Sequence, residues 1–389
     1  MYLIRIKFFI PCLWLVGSFL FVSNAGAVKL EQSEIPLNEL RALTEAYYHI
    51  KSSYVKDVDD TTLIRAAIRG MVNSLDNHSR YLPPEEFTEF NQDNDGEYAG
   101  VGLRFKDSEF GLEIIEVIAN SPAANAELKI GDIITHINGK SIRYVSVEEA
   151  ASQFKGEVGS AIEMRVTGTG FSQPKDMQLK REIILLESVY SNLLPNQTGY
   201  IQLSQFTLHS VQEFIDAMKN LEKSAPLKKL IIDLRDNPGG VLEAAVELSD
   251  LFISQGKLLV SEGRTEDSNE VFYAHKAAPY ANIKLLVILN QGSASASEIF
   301  AIALKDHQKA TIFGEKSYGK GTIQTVFGLN EEAGMKITTA EYFSPHGTKI
   351  QDTGITPDIR FSKTRQKNTY NVSLLDDPQL LQAYNLLQN

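Results

Sequence analysis

Cysteine is nearly absent from the chain, since Cys12 is the only one among 389 residues. It lies in an N-terminal segment with the pattern of an export signal, in which basic residues precede an apolar stretch at 8–22 and the small-residue site Ala25-Gly26-Ala27. We predict cleavage after Ala27 and export to the periplasm or another extracytoplasmic space. Cleavage would leave no thiol, which excludes a cysteine nucleophile, a disulfide framework and a thiolate metal site.

Long apolar runs and clusters of basic residues are also missing. The stretch at 8–22 is shorter than the roughly 20 apolar residues that a membrane-crossing helix needs, although an uncleaved segment would keep the protein close to a membrane. The formal net charge is -11, and no run of lysine and arginine would neutralise a row of phosphates. We therefore expect no nucleic-acid partner.

Histidine-based catalytic motifs are missing too. Neither H-E-x-x-H, typical of zinc peptidases, nor the G-x-S-x-G turn of serine and histidine hydrolases appears in the sequence. Only His307 and His346 lie near the motifs described below, and we interpret them as a helix-end residue and a loop residue. The sequence thus predicts no metal site and no cofactor, and a serine and histidine hydrolase is a weak hypothesis.

The residues that are present predict a globular protein of mixed α/β class. Hydrophobic residues make up 43% and charged residues 22% of the chain, which is an ordinary globular balance. After the signal peptide at 1–27, apolar residues recur at three- and four-residue steps from Pro36 to about Arg69, which predicts a small helical region within 28–97. The apolar face of this region suits either dimerisation or packing on the core, so the sequence assigns no oligomeric state.

Residues 98–181 change to short alternating strands that glycines interrupt. The segments A-G-V-G-L-R-F, S-P-A-A-N-A-E-L and G-D-I-I-T-H-I-N-G follow one another in an order that resembles a PDZ domain. Two spaced glycines alone indicate an ordinary turn. The ordered set predicts a loop, Gly100, Val101, Gly102 and Leu103, whose backbone N–H groups bind the terminal carboxylate of a peptide.

Residues 182–362 alternate strand patterns with helix patterns. In chain order, these patterns fall at 199–203, 210–221, 230–234, 241–252, 283–290 and 298–305. This order predicts a mainly parallel sheet covered by helices, with functional groups at the turns beyond the carboxyl ends of the strands. A C-terminal tail with a short helix is expected at 363–389.

The most informative segment, L-L-V-I-L-N-Q-G-S-A-S-A-S-E-I, runs from a strand through a turn of small residues into a helix. It places Ser293, Ser295 and Ser297 at or just before a helix N-terminus. Unpaired N–H groups and the positive end of the helix dipole stabilise a developing negative charge at such a position. Taken alone, the three serines indicate helix capping, and we assign the cap to Ser297.

A second segment, G-E-K-S-Y-G-K-G-T-I-Q, places Lys320 between two glycines and ahead of a strand. Lys320, Thr322 and Gln324 alternate, so they project from one face of extended chain. A surface lysine is the simpler interpretation, but burial would lower the pKa and make the neutral amine available as a base, which the Gln324 amide oxygen would orient. A phosphate-binding loop is excluded, because Gly321 stands where serine or threonine is needed and a strand pattern follows.

A third segment, L-I-I-D-L-R-D-N-P-G-G, ends a buried strand with a turn in which Gly239 and Gly240 leave backbone amides uncovered. These amides, together with the N–H of Ala296, would form an oxyanion hole beside Ser295. The residues do not decide which of the two glycines donates. The charged residues of D-L-R-D indicate a structural ion pair rather than a pair of catalytic acids.

Together, D-L-R-D-N-P-G-G, G-S-A-S-A-S-E-I, Y-G-K-G-T-I-Q and S-P-H-G-T-K-I-Q-D-T-G-I-T-P-D resemble the carboxyl-terminal processing, tail-specific serine peptidases. The resemblance implies Ser295 as the nucleophile, Lys320 as the base and Gln324 as the third member. It also implies a β/α peptidase core with an inserted PDZ-like domain, which would bind the carboxyl termini of exported protein substrates for endoproteolysis nearby. Where these peptidases usually have arginine, this chain has Lys155 and lacks the forked contact of a guanidinium.

A non-catalytic scaffold is the alternative hypothesis. In that case the PDZ-like part would bind peptides, and the β/α core would have lost its catalytic function. The intact set of Ser295, Lys320 and Gln324 argues against this alternative, because loss of function would be expected to remove at least one of them.

Overall fold

The structure is a computed structural model that describes residues 36–168, 173–329, 333–361 and 377–388. The chain divides into two compact units, Met1–Leu63 and Ile64–Asn389. The predicted signal peptide at 1–27 and the first part of the predicted tail lie outside the described residues.

The first unit contains the start of the predicted helical region. α1 (Leu37–Ser53) buries none of its residues, and Lys51 near its end forms an ion pair with Asp60 at 2.8 Å. α2 (Asp60–Asn73) begins in this unit. The two helices confirm the helical periodicity of the sequence. Among the described helices, none is both long enough and apolar enough to cross a membrane.

The second unit continues with β1 (Arg80–Leu82) and α3 (Pro84–Asp95), which precede the PDZ-like part. The elements of that part are β2 (Glu97–Gly100), β3 (Leu103–Ser108), β4 (Gly111–Val117), α4 (Pro122–Asn125), β5 (Ile133–Ile137), β6 (Lys140–Ser141), α5 (Val147–Phe154), β7 (Ala161–Thr167), β8 (Lys175–Lys180) and β9 (Glu182–Leu185). Strands β3, β4, β5, β7 and β8 form one antiparallel sheet in that order, around a hydrophobic core of their own. Because β2 pairs with β9, the chain enters and leaves this part through neighbouring strands, as an inserted domain requires.

The peptidase-like core follows the insertion. Its elements are β10 (Val189–Leu194), β11 (Thr198–Leu203), α6 (Ser210–Leu221), β12 (Lys229–Asp233), α7 (Leu242–Asp250), β13 (Lys257–Gly263), β14 (Glu270–Tyr273), β15 (Lys284–Leu289), α8 (Ala296–Asp306), β16 (Ala310–Gly314), β17 (Thr322–Gly328), β18 (Gly334–Phe343), β19 (Ile359–Arg360) and α9 (Pro378–Gln388). The main sheet has the order β10-β11-β12-β15-β16-β19, in which every pair except β10 with β11 is parallel. The predicted mixed α/β class and mainly parallel sheet are therefore confirmed.

Alternate residues of the buried strands pack into two different hydrophobic layers, one on each face of the main sheet. Leu230 and Ile232 of β12 face the layer that contains α6, α7 and α8. Ile231 between them faces α9 on the other side of the sheet, where Leu380 and Tyr384 are buried. Strands that are covered on both faces read as continuous apolar runs, which explains the sequence pattern of β12 and β15.

A five-stranded sheet in the same unit has the strand order β1-β18-β13-β14, and β17 also pairs with β18. The hairpin of β17 and β18 follows directly after Lys320. The glycine segment and the serine segment thus follow two parallel strands of the main sheet, β12 and β15, and the lysine segment leads into the hairpin.

Candidate active site

Ser295 lies at the turn between β15 and α8 and is the N-cap residue of that helix. Its backbone has φ +54° and ψ −115°, a conformation that residues other than glycine seldom adopt. The Ser295 N–H donates to Glu298 Oε2 at 2.9 Å, while the residue itself is partly exposed. The fold therefore holds the serine in a strained backbone conformation at a helix N-terminus, with its side chain accessible.

The neighbouring serines have different roles, and the prediction that Ser297 caps the helix is wrong. Because α8 begins at Ala296, the N-cap position falls on Ser295. The Ser297 hydroxyl instead donates to the Asn237 carbonyl at 3.0 Å, and the Ser293 hydroxyl donates to the Leu234 carbonyl at 2.8 Å. Both of these side chains are fully buried, so they tie the serine turn to the turn after β12.

Glu298 joins the serine turn to the lysine loop. Its side chain is fully buried, and besides the Ser295 N–H it accepts hydrogen bonds from Ser317 Oγ at 2.5 Å, the Gly319 N–H at 2.7 Å and the Lys320 N–H at 2.9 Å. Four donors compensate for the burial of one carboxylate. This single group therefore sets the distance between the backbones of Ser295 and Lys320.

Tyr342 of β18 makes a second connection between the same two residues. Its hydroxyl lies against the carbonyl of Ser295 at 3.3 Å and against the carbonyl of Lys320. The side chain is nearly fully buried. The structure thus brings Ser295 and Lys320, which are separated in the sequence, to one place.

The sequence interpretation did not identify Glu298 or Tyr342. The pattern from Ser295 to Glu298 has the spacing of a capping box, in which the acidic residue reaches back to the N-cap N–H. That signal would have identified the contact within the turn. Nothing in the sequence pattern indicates the contacts of Glu298 with the lysine loop, or those of Tyr342.

Burial favours the neutral form of Lys320. Its side chain is half-buried, and desolvation lowers the pKa of the amine below the ordinary value, against the opposing effect of the nearby Glu298 carboxylate. Burial likewise lowers the pKa of Lys336 on β18 to about 8, and the positive charges of Lys320 and Arg80 contribute to that shift. Burial raises the pKa of Glu298, which its four hydrogen bonds partly offset. Two amines with lowered pKa values therefore lie in this region.

Gln324 is on the same face of β17 as Thr322, as the alternation predicted. Its Nε2 donates to Thr322 Oγ1 at 2.9 Å and contacts Thr338 Oγ1 at 3.3 Å. Both amide protons are thus committed to threonine hydroxyls. The orientation leaves Oε1 as the group that is available to an amine.

The two glycines after β12 have distinct positions. The Gly239 N–H donates to Asn237 Oδ1 at 2.9 Å, and a β-carbon at position 239 would lie only 2.8 Å from the Ala296 nitrogen. Gly240 has φ +137°, and a β-carbon there would lie 1.9 Å from the Phe206 carbonyl oxygen. Within the described part of the chain, the N–H groups of Gly240 and Ala296 have no hydrogen-bond acceptor. Gly239 therefore leaves space open in front of Ala296, and Gly240 retains an uncommitted donor.

The predicted ion pair beside this turn is present. Arg235 contacts Asp233 with its Nε at 2.9 Å and its Nη2 at 2.5 Å, and both side chains are buried. Asp236 instead pairs with Asn290, whose Nδ2 donates to Asp236 Oδ1 at 2.9 Å. The charged residues thus hold the turn, and Asp236 connects it with the end of β15.

The glycine loop of the PDZ-like part lies between β2 and β3. Gly102 has φ +79°, while the carbonyls of Val101 and Gly102 accept hydrogen bonds from Ala123 and Ile118. β3 is an edge strand, and α5 lies beside it. An edge strand, a helix and a glycine loop together form the kind of groove that accepts an extended peptide as an additional strand.

Lys155 directly follows α5. The buried Arg181 donates to two carbonyls at the end of this helix, that of Phe154 at 3.0 Å and that of Gln153 at 2.7 Å. A positive group at the C-terminus of a helix is favourable. Arg181 therefore stabilises the end of the helix that borders the groove.

Replacing Glu298 with glutamine is expected to lower kcat by about 10²-fold, because a misplacement of catalytic groups by about 1 Å has an effect of this order. Glutamine has the same size as glutamate, but only one of its two terminal atoms is an oxygen. That oxygen cannot accept all four hydrogen bonds that the two carboxylate oxygens of Glu298 accept. Removing the carboxylate charge also lowers the pKa of Lys320 further. If Lys320 is the base, as the sequence predicts, the acidic limb of the pH profile should therefore move to lower pH. Profiles of kcat and of kcat/KM against pH for Glu298→Gln measure the two effects, and an unchanged kcat would contradict the role given to this residue.

Comparison with known proteins places the chain in a family. The family model for peptidase family S41 matches residues 197–361, the model for the PDZ domain matches 91–167, and the model for the activating protease CtpB N-terminal domain matches 22–85. A carboxy-terminal-processing protease from Bartonella bacilliformis is 34% identical over 91% of this chain and 82% of its own length. The carboxy-terminal processing protease CtpA from Bacillus subtilis is 34% identical over 82% of this chain and 68% of its own length.

The fold is shared with solved structures as well. A structure described as an S41 protease from Bacteroides fragilis has a TM-score of 0.50 and 15% identity, and the match covers 80% of this chain and 85% of that one. Fold and sequence similarity together define a serine-type peptidase, a hydrolase with a PDZ domain. The chain belongs to peptidase family S41, among the bacterial carboxy-terminal processing proteases.

Proposed function

We propose that this peptidase cleaves exported proteins near their carboxyl termini, with Ser295 as the nucleophile, Lys320 as the general base and Gln324 as the residue that orients Lys320. The observation that supports it most is the Glu298 carboxylate, which binds the backbone N–H groups of both Ser295 and Lys320. Export belongs to the proposal, because the signal pattern at 1–27 lies outside the described residues.

The lysine amine acts first as a base and then as an acid. Neutral Lys320 Nζ accepts the hydroxyl proton while Ser295 Oγ bonds to the carbonyl carbon of the scissile peptide. The C–N bond then breaks, and the leaving amine takes that proton from Lys320, which leaves an ester on Ser295. A water molecule attacks the ester with the same assistance, and it releases the new carboxyl terminus and restores the serine.

Two backbone donors would stabilise the negative charge on the carbonyl oxygen. We assign them to the N–H groups of Gly240 and Ala296, because the Gly239 N–H already binds the Asn237 side chain. Gly239 contributes by having no side chain, since a β-carbon there would approach the Ala296 nitrogen to 2.8 Å and occupy the space the oxyanion needs. The choice between the two glycines, which the sequence left open, therefore falls on Gly240.

The PDZ-like part would bind the substrate terminus. In this proposal the terminal residues add to the free edge of β3, and the N–H groups of the loop from Gly100 to Leu103 bind the terminal carboxylate. The positive φ of Gly102 and the edge position of β3 support this assignment.

A substrate with a blocked terminus tests the proposal. An unfolded protein with an apolar carboxyl-terminal sequence should be cleaved about tenfold less efficiently when its terminal carboxylate is converted to an amide, because the loop loses a charge-assisted set of hydrogen bonds. The measurement is kcat/KM for the two matched substrates, with product masses to locate the cleaved bond. Equal kcat/KM values, or cleavage at sites unrelated to the terminus, would contradict binding of the tail.

A further inference from the structure

Helix α9 crosses the main sheet on the face opposite α8, and each of its ends is attached to a different edge of that sheet. Its last turn reaches the amino edge, where Gln388 Nε2 donates to Thr198 Oγ1 at 3.1 Å and Gln388 Oε1 accepts from Lys229 Nζ at 2.8 Å. Its first turn reaches the carboxyl edge, where the active-site turns lie. Leu380, Ala383, Tyr384 and Leu387 bury the helix against the sheet between these ends.

At the carboxyl edge, Asp377 binds Arg235. Arg235 Nη2 donates to Asp377 Oδ2 at 2.7 Å, and Arg235 Nη1 lies 3.3 Å from Gln379 Oε1. The other oxygen of Asp377 accepts the N–H groups of Gln379 and Leu380 at 2.9 and 3.0 Å, so the same carboxylate also caps the helix. Although burial acts in the opposite direction, the hydrogen bond from Arg235 and its charge hold the pKa of Asp377 below the ordinary value.

Arg235 begins the turn that carries Gly239 and Gly240, and it is only 7% exposed. Two residues further on, the Asn237 carbonyl accepts the Ala294 N–H at 3.0 Å and the Ser297 hydroxyl at 3.0 Å. A continuous set of contacts therefore leads from α9 through the guanidinium to the serine turn. Asp233 binds Nε and Nη2 of that guanidinium from β12, and Asp377 binds the same Nη2 from the start of α9.

We propose that Asp377 is a positioning residue of the active site: from the C-terminal helix it fixes Arg235, and through Arg235 the turn with the oxyanion donors. This inference rests on the proposed function of Ser295, Gly240 and Ala296. It extends the catalytic apparatus to a helix that lies outside the matched peptidase region at 197–361. Asp377 acts through another residue and needs no contact with substrate.

The variant Asp377→Asn isolates the contact with Arg235. Asparagine retains an oxygen that caps α9, but it loses the negative charge that Arg235 binds. We expect kcat to fall about tenfold with KM for an unfolded protein substrate unchanged, because the substrate-binding surfaces are intact and only the oxyanion turn is displaced. Rates are normalised to the concentration of active sites, so that a misfolded fraction does not contribute. Asp377→Glu keeps the charge and should retain more activity than Asp377→Asn.

The matched control is Gln388→Ala, which loosens the same helix at the amino edge of the sheet. Both Gln388→Ala and Asp377→Asn should lower the melting temperature, but only Asp377→Asn should lower kcat per active site. A wild-type kcat in Asp377→Asn, equal activity of the Asn and Glu variants, or a loss of kcat in Gln388→Ala as large as that in Asp377→Asn would each overturn the proposal. Failure of the proposed function appears separately, as activity that survives the loss of the Ser295 hydroxyl.

Discussion

Replacing Ser295 with alanine is expected to reduce peptide-bond hydrolysis by at least about 10³-fold, because no acyl-enzyme forms without the hydroxyl. The substitution removes one oxygen atom and leaves the Ser295 N–H contact with Glu298 in place. The positive φ at this position costs serine and alanine a similar conformational energy, so the melting temperature should change little. The measurement is the initial rate on an unfolded protein substrate, followed by mass spectrometry of the products.

Ser249→Ala is a suitable control for this experiment. It also replaces a serine hydroxyl with hydrogen, but at a fully buried position on α7, where Ser249 Oγ donates to the Ala245 carbonyl at 2.7 Å. This variant should have wild-type activity. Ser295→Ala should still bind a peptide with a free terminal carboxylate, since the PDZ-like loop is untouched. If Ser295→Ala were to cleave at the wild-type rate, the chain would be a peptidase with a different nucleophile.

Replacing Lys320 with alanine is expected to lower kcat by about 10³-fold, in the range that loss of a general base causes. Arginine should not rescue activity, because a guanidinium stays protonated at all accessible pH values. In the wild type, kcat/KM should rise about tenfold per pH unit on the acidic side, since Lys320 must be deprotonated to accept the serine proton. Burial lowers the pKa of this amine, so the rise should level off below the ordinary lysine pKa of about 10.4.

The second half-buried amine makes Lys336→Met the necessary control for that pH profile. The pKa of Lys336 is lowered to about 8, so its titration falls in the same region. If Lys320 is the base, the acidic limb remains in Lys336→Met and moves slightly to higher pH. The reason is that loss of a nearby positive charge raises the pKa of Lys320. Disappearance of the limb in Lys336→Met would assign it to Lys336 and contradict the proposed role of Lys320.

Much of the fold was predictable because its signals are local. The helix of 210–221 was predicted at the bounds that the structure has for α6, and the strand of 199–203 differs by one residue from β11. Apolar periodicity and turn residues determine structure within a few positions of the chain, so a single sequence is enough to recognise them. The cap of α8 shows the limit of such signals, since three serines in succession all suit a helix start.

The sequence predicted candidate residues for the site but not how they come together. It singled out the three segments that contain Ser295, Lys320 and the glycine pair at 239–240, but no pattern joins these segments. Their junction consists of Glu298 and Tyr342, which bind two segments at once. Such contacts depend on how the sheets pack, and a sequence pattern has no information on that.

By itself, the sequence determined the class of fold, the order of its parts and the residue types available for catalysis, because these follow from local periodicity and side-chain chemistry. Only the tertiary structure decided which serine stays accessible, which glycine keeps a free N–H and which distant residues hold the turns together. The physical reason is that hydrogen-bond partners and burial are properties of the packed chain. Asp377 and Arg235 are 142 residues apart in the sequence, and only the packing of α9 on the sheet brings Asp377 Oδ2 within 2.7 Å of Arg235 Nη2.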